Sequence, residues 1–175
     1  MSDPPMSSLV PLRLQFQKNR DGSCGFAMLR SDGTSTRQRH KTSFFAFHDL
    51  AHYAVETILG HRRGFYGLVA EGWNLEDFGS PWPRGKMPAD MDPSELLVGF
   101  FDLERATGTL HTADELNASA HSYSRAHDAP PPDWTLSTEQ VDAIRTRIGE
   151  LHARWRALPL GETLTLEFPA PSHSD

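Results

Sequence analysis

The apolar pattern of this chain changes its period twice, and this change constrains the fold more than any other feature. Residues 12–17 and 163–168 alternate apolar and polar side chains, which is typical of half-buried β-strands. A turn signal at Asp21-Gly22, followed by the apolar run 26–29, pairs the first strand into a hairpin. Helical periodicity dominates between these ends. The sequence therefore predicts an α+β fold, helix-rich, with a small antiparallel sheet formed by an N-terminal hairpin and a C-terminal strand.

Four helices are predicted from their start and stop signals. They cover Ser43 to Leu59 before Gly60, Asp92 to about Ala106, and the stretches that begin after Thr112 and Ser137. The last of them carries apolar residues spaced alternately by three and four, namely Val141, Ile144, Ile148, Leu151, Trp155 and Leu158. This stripe predicts core packing, with a short seam in a homodimer as the alternative.

A chain of 175 residues is long enough for one domain with a substantial core. We expect that domain to cover residues 9–169, between disordered tails at 1–8 and 170–175. Residues 72–91 contain too many Gly and Pro for a regular element and too many Trp for a free linker. This segment is predicted to be an ordered loop packed on the body, and we refer to it as the Trp-rich loop.

Charge and composition exclude several classes of function. The chain has 17 Lys and Arg against 23 Asp and Glu, a net charge of −6, and its basic stretch from Arg30 to Lys41 lacks aromatic residues. This stretch is predicted to be a solvated hairpin or loop, and nucleic-acid binding is not expected. No apolar run is long enough for a membrane span, no secretory signal begins the chain, and Cys24 has no partner for a disulfide. We therefore expect a cytoplasmic protein without a membrane partner.

The chemistry of the chain is predicted to lie on its first helix, where His48 and His52 are four residues apart. This spacing projects both imidazoles from one face, within reach of a single ion. Both histidines lie inside or at the rim of the apolar arc of the helix. Because half-buried imidazole nitrogens need partners, a shared cation would satisfy both rings at once. The alternative is that each ring bonds separately to a carbonyl, a carboxylate or water.

A metal site needs a third ligand, and Glu71 is the first choice because the chain returns after the break at Gly60. Glu56 lies too far along the helix to share one ion and is predicted, with Tyr53, His61 and Trp73, to support the site or line its pocket. Asp49 points away from the shared face, so it is expected to support the ligands or to act as a general base through water, and not to bind the ion directly. His61 remains open as a ligand as well, as do three other histidines: His40, His111 and His121.

The segment His48-Asp49-Leu50-Ala51-His52, followed by Glu71, resembles the HExxH zinc metallopeptidase pattern with its downstream Glu. That resemblance implies zinc ligation by the two His and the distal Glu, and water activation at position 49, where this chain has Asp instead of Glu. The same five residues look like the HDxxH motif of a ubiquinone-biosynthesis family, and the His48-Asp49 pair looks like that of HD-type phosphohydrolases. Each similarity covers fewer than about twenty-five residues and supports a metal rather than a family.

The sequence thus predicts a protein that binds a divalent metal, with zinc favoured by imidazole and carboxylate ligands. An open coordination position would make it a metal-dependent hydrolase acting on a small-molecule or peptide ligand. The alternative is a non-enzymatic ligand-binding or protein-interaction domain that uses the Trp-rich loop.

Overall fold

The computed structural model describes residues 10–79 and 83–170, and it confirms the predicted α+β fold. The sheet contains four antiparallel strands in the order β3-β2-β1-β4. They are β1 (Val10–Lys18), β2 (Cys24–Leu29), β3 (Ser35–His40) and β4 (Thr163–Ala170). The N-terminal hairpin pairs β1 with β2, and Leu14 of β1 lies opposite Leu166 of the C-terminal strand. The predicted sheet is therefore present, with one strand added.

The additional strand, β3, comes from the basic stretch that was predicted to be a solvated hairpin or loop. It pairs with β2 at the edge of the sheet, and Thr36 is its only fully buried residue. Of the two predicted possibilities, a hairpin or a loop, the hairpin is therefore correct. An edge strand with one polar buried residue lacks the apolar alternation by which a strand is recognised in a sequence.

Within the described residues, the first three strands are followed by five helices: α1 (Phe45–Leu59), α2 (Phe65–Ala70), α3 (Ser94–Thr107), α4 (Ala113–Ala126) and α5 (Thr138–Ala157). A 3₁₀ turn at Leu75–Phe78 lies in the Trp-rich loop. Gly60 ends α1 in the left-handed conformation, and the capping boxes at Thr112 and Ser137 are formed as predicted. The short α2 was not predicted.

Helix α3 begins later than its sequence signal suggests. Asp92 does not cap it; its carboxylate accepts the backbone N–H of Arg63 at 2.7 Å. The helix starts at Ser94, after Pro93, with no side-chain cap. This contact ties the start of α3 to the segment between α1 and α2.

Helix α1 is central, because two neighbouring faces of it belong to two separate apolar clusters. Leu50 and Ala54 pack with the sheet, α2 and Trp155 of α5, while Ala51 and Val55 pack with α3, α4 and α5. The apolar stripe of α5 is divided between the same two clusters, so it packs in the core as the sequence predicts. The face of α1 between the two clusters carries the histidines.

The predicted tails, 1–8 and 170–175, fall outside the described residues except for Ala170, which ends β4. Trp82 of the Trp-rich loop also falls outside them. Among the residues that the structure describes, no helix has the length and hydropathy required to span a bilayer.

Candidate metal centre

His48 and His52 project from neighbouring turns of α1, about 40° apart around its axis. Their ring centroids are 4.8 Å apart, with the ring planes inclined by 73°. His52 is buried, whereas the His48 side chain retains 38% of its exposure. The pair therefore lies where the core of the protein meets solvent.

The third group is Glu95, from the first turn of α3. Its Oε2 lies 2.8 Å from His52 Nε2, and its Oε1 lies 3.6 Å from His48 Nε2. One ligand atom from each of the three residues falls within 4.8 Å of the others. Two ligands about 2.1 Å from a zinc ion lie no more than about 4.2 Å apart, so side-chain adjustments of a few tenths of an ångström would bring all three atoms onto one cation. The Glu95 side chain is 73% exposed, so the group lies at the rim of the site.

Each histidine is held at its other nitrogen by a second carboxylate. Asp102 Oδ2 is 2.6 Å from His48 Nδ1, and Glu56 Oε1 is 3.2 Å from His52 Nδ1. An ionised carboxylate only accepts hydrogen bonds, so both Nδ1 atoms must donate. The Nε2 atoms, which both face Glu95, are then the nitrogens available to a metal. Carboxylates that orient metal-binding histidines in this way are a common feature of metal sites.

Glu56 is itself fixed by the start of α2. Its two oxygens accept the backbone N–H groups of Phe65 at 2.7 Å and Tyr66 at 3.0 Å, and the residue is 1% exposed. Gly64 permits this approach, since a Cβ there would lie 2.4 Å from Ser94 Oγ and 2.6 Å from Glu56 Cδ. The orientation of His52 is thus set by contacts among three elements.

The electrostatics of the cluster favour positive charge at both imidazoles. The hydrogen bond that His48 donates to Asp102, together with its contact with Glu95, raises the pKa of His48 to about 10. Burial lowers the pKa of His52, but Glu56 and Glu95 outweigh burial and raise it to about 9. The histidines in turn hold the pKa of Glu95 well below its usual range. Three carboxylates converge on this pair, and either protons or a divalent cation would supply the charge that balances them.

A cleft of about 430 Å³ opens beside the three candidate ligands, and Asp49 lies in its wall. Burial raises the pKa of Asp49 to about 6, although both histidines act in the opposite direction. Among the described residues, no side chain donates a hydrogen bond to its carboxylate. Tyr66 donates instead to the Asp49 backbone carbonyl at 2.6 Å, which fixes this turn of α1. A carboxylate with a pKa near neutrality is suited to accept a proton.

The structure separates Glu71, the sequence's first choice of third ligand, from the histidines. Glu71 is the residue that ends α2, and its carboxylate pairs with Arg63 at 3.2 Å. Tyr53 also lies away from the cleft, where its hydroxyl donates to the Glu167 carbonyl of β4 at 2.9 Å.

His61 and Trp73 contact the site only through other residues. His61 Nδ1 lies 2.9 Å from the hydroxyl of Ser94, which lines the cleft. Trp73 packs on Phe78 of the cleft wall with ring centroids 5.6 Å apart. The three histidines left open by the sequence lie elsewhere. His40 stacks on Phe45, His111 approaches Glu104, and His121 is exposed on α4.

Sequence reasoning missed Glu95 and Asp102 as partners of the histidines. Glu95 was read as a helix-start signal, and Asp102 was not singled out. They are seven residues apart, which places both on one face of α3 two turns from each other. Two acidic residues on one face of an amphipathic helix can be detected in a sequence. That they contact the histidines follows only from the packing of α3 against α1.

Comparison of the chain with protein-family models, curated proteins and solved structures finds no match in any of the three. The functional conclusion therefore depends on the geometry of the site.

Proposed function

We propose that this protein binds one divalent cation, Zn²⁺, through His48 Nε2, His52 Nε2 and the carboxylate of Glu95. The observation that carries the proposal is the convergence of these three groups within 4.8 Å, on two helices held together by the core. The carboxylates behind both histidines support it, because they leave both Nε2 atoms free for the ion.

Zinc is favoured by the ligand set. Two imidazoles with one carboxylate are a common set in catalytic zinc sites, whereas calcium and magnesium prefer oxygen ligands alone. Three protein ligands would leave a fourth position for water, and the exposure of Glu95 and the adjacent cleft would give solvent and ligand access to it. The site is thus arranged as a catalytic centre rather than as a closed structural one.

The test compares two Glu→Gln variants. Untagged wild-type protein, incubated with Zn²⁺ and desalted, should contain one equivalent of zinc by elemental analysis. Glu95→Gln should bind zinc at least about 100-fold more weakly in a chelator competition, since even residues that only orient metal ligands change affinity by about 10- to 100-fold. Glu71→Gln should bind as the wild type does. Retention of full affinity by Glu95→Gln, or its loss in Glu71→Gln, would contradict the proposed ligand set.

The geometry further supports a metal-dependent hydrolase. A zinc ion bound here would lower the pKa of water at its fourth position toward 7. Asp49, in the same cleft, accepts the proton of the attacking water and passes it to the leaving group. Asp49→Asn should keep its zinc but lose about 100-fold or more in hydrolysis rate, because a general base contributes about 10²- to 10⁴-fold. Unchanged turnover in a zinc-loaded Asp49→Asn protein would remove the base from this scheme.

One observation favours the alternative of non-enzymatic ligand binding. Phe78 and Met87 of the Trp-rich loop form part of the cleft wall, so this loop contacts whatever occupies the cleft. A zinc-loaded protein that binds ligands in the cleft but hydrolyses no ester, amide or phosphate ester would support binding alone.

A further inference from the structure

The cleft beside the candidate ligands is walled by apolar side chains. Phe65 and Phe78 pack edge to face with centroids 4.7 Å apart, and Met87 and Met91 complete the wall. Phe65 also packs on the ring of His52 at 5.4 Å, so the apolar wall continues directly into the metal centre. A cleft of about 430 Å³ is within the range of small-molecule sites. A ligand group next to the ion would therefore meet hydrocarbon and aromatic surface.

The charged groups that line the cleft belong to the site itself: His48, Asp49, His52 and Glu95. Neither Lys nor Arg is found in the lining formed by the described residues. Phosphate and carboxylate groups are normally recognised by such cations, most often by bidentate arginine. Beside the proposed ion, an anionic substrate would meet two carboxylates and, among the described residues, no Lys or Arg.

Cations near this region are committed elsewhere. Arg63 pairs with Glu71 at 3.2 Å, and Arg84 lies over the ring of Trp73 at 5.2 Å. Lys86 is exposed and is not part of the lining. None of these three cations belongs to the lining of the cleft.

We propose that the cleft takes an uncharged apolar acyl group, so that the substrate is a neutral ester or amide of a small apolar acid. This inference rests on the proposed metal function. The oxygen of water bonds to the acyl carbon, the acyl–oxygen or acyl–nitrogen bond breaks, and the proton from water goes to the leaving alcohol or amine.

The test uses three hydroxamic acids that present the same zinc-binding group and differ only in their tails. The protein is first shown by elemental analysis to hold its metal, and Co²⁺-substituted protein then reports binding through its visible spectrum. Benzohydroxamic acid should bind about tenfold or more tightly than acetohydroxamic acid, because its ring buries additional apolar surface. 4-Carboxybenzohydroxamic acid should bind about tenfold more weakly than benzohydroxamic acid. The zinc protein should also hydrolyse 4-nitrophenyl butyrate faster than 4-nitrophenyl phosphate.

A matched pair of substitutions at Met87 tests the charge argument separately. Met87→Lys places a cation in the cleft and should reverse the order, so that the carboxylated probe binds more tightly than benzohydroxamic acid. Met87→Gln, polar but neutral, should weaken benzohydroxamic acid without this reversal. Phe44→Ala, which removes an exposed aromatic residue outside the lining, should leave all three affinities unchanged.

The failures of the two proposals are distinguishable. A protein that holds zinc but binds acetohydroxamic acid as tightly as benzohydroxamic acid, or prefers the carboxylated probe, overturns the substrate class and leaves the metal site standing. If Met87→Lys leaves the order of the probe affinities unchanged, the cleft does not select ligands by charge. A protein that holds no stoichiometric zinc overturns both proposals before any probe is added.

Discussion

Two glutamates of the same helix, Glu95 and Glu104 of α3, have opposite surroundings. Glu104 is 4% exposed and accepts three hydrogen bonds, from Arg145 Nε at 3.0 Å, Arg145 Nη2 at 2.5 Å and the His111 backbone N–H at 2.9 Å. Glu95 is largely exposed and faces two imidazole nitrogens. One carboxylate is therefore enclosed by permanent donors, whereas the other faces groups that carry a hydrogen only in some states.

This difference separates a structural carboxylate from a functional one. A guanidinium and an amide always carry their hydrogens, so the lone pairs of Glu104 are satisfied whatever the protein binds. The Nε2 atoms opposite Glu95 can lose their protons to solvent when a metal binds there, and the hydrogen bonds at Nδ1 are kept. The kind of donor that faces a carboxylate, and not its burial alone, indicates whether the carboxylate is structural or can bind a ligand.

The largest expected effect is the loss of stability in Glu104→Gln. Neutralising this carboxylate removes the nearest counter-charge of the Arg145 guanidinium, which is 24% exposed, and should reduce the free energy of unfolding by about 3 kcal/mol. Glu95→Gln should change it by less than about 1 kcal/mol, because Glu95 is exposed. Urea denaturation without metal measures both.

In zinc binding, the order of the two effects should be reversed. Folded Glu104→Gln should bind zinc as the wild type does, whereas Glu95→Gln loses it. Equal loss of stability in both variants would break the distinction between the two carboxylates.

The sequence predicts what local geometry determines. The four-residue spacing of His48 and His52 fixes their shared face as soon as α1 forms, and Gly60 ends that helix through its own backbone preference. The capping boxes of α4 and α5 act within four residues. Each of these features is contained in one short segment, which is why each was predictable.

The third group of the site depends on tertiary packing. Glu71 is nearer in sequence to the histidines, but the short α2 turns its carboxylate to Arg63. Glu95 reaches them because α3 packs against the Ala51 and Val55 face of α1 through Leu97 and Val98. No local pattern records which face of one helix meets another, so the choice between two downstream glutamates required the structure.

The second largest effect tests how far the site depends on close packing behind it. Gly64→Ala places a methyl group against Ser94 Oγ and Glu56, and should reduce the free energy of unfolding by about 2 kcal/mol. Gly99→Ala, in α3 with no neighbour within 4 Å, should stabilise the protein by about 0.5–1 kcal/mol. Thermal unfolding of both variants measures the difference.

Zinc affinity gives that comparison a second measurement. Displacement of Glu56 should also weaken zinc binding in Gly64→Ala, since Glu56 orients His52. Unchanged zinc affinity in this variant would show that the contact between Glu56 and His52 does not support the metal site.

A smaller effect is expected at Asp102, which lies on α3 between the two glutamates and orients His48. Asp102→Asn should weaken zinc binding about tenfold, about 1.4 kcal/mol, because an amide holds the imidazole less strongly than a carboxylate does. Asp142→Asn, which alters an exposed carboxylate 3.8 Å from Arg145, is the matched control and should bind zinc normally. If the two variants have the same zinc affinity, Asp102 is a structural carboxylate like Glu104 and does not support zinc binding.

The smallest effect is the acid sensitivity that Glu104 contributes to stability. Burial opposes ionisation of Glu104, but the hydrogen bonds from Arg145 and from the His111 N–H outweigh it and lower the pKa below its ordinary value of 4.5. The unfolded chain therefore binds the proton more readily than the folded protein does. The contribution of Glu104 to stability is fully present above pH 4.5 and decreases as the pH falls through the folded pKa.

Wild-type protein should consequently lose stability more steeply than Glu104→Gln below pH 4.5, when urea unfolding is followed without metal. Above that pH the difference between the two proteins should be constant, because Glu104 is ionised in both the folded and the unfolded states. A difference that instead changes between pH 5 and 7 would show that the contribution of Glu104 follows the titration of a histidine and not that of its own carboxyl group.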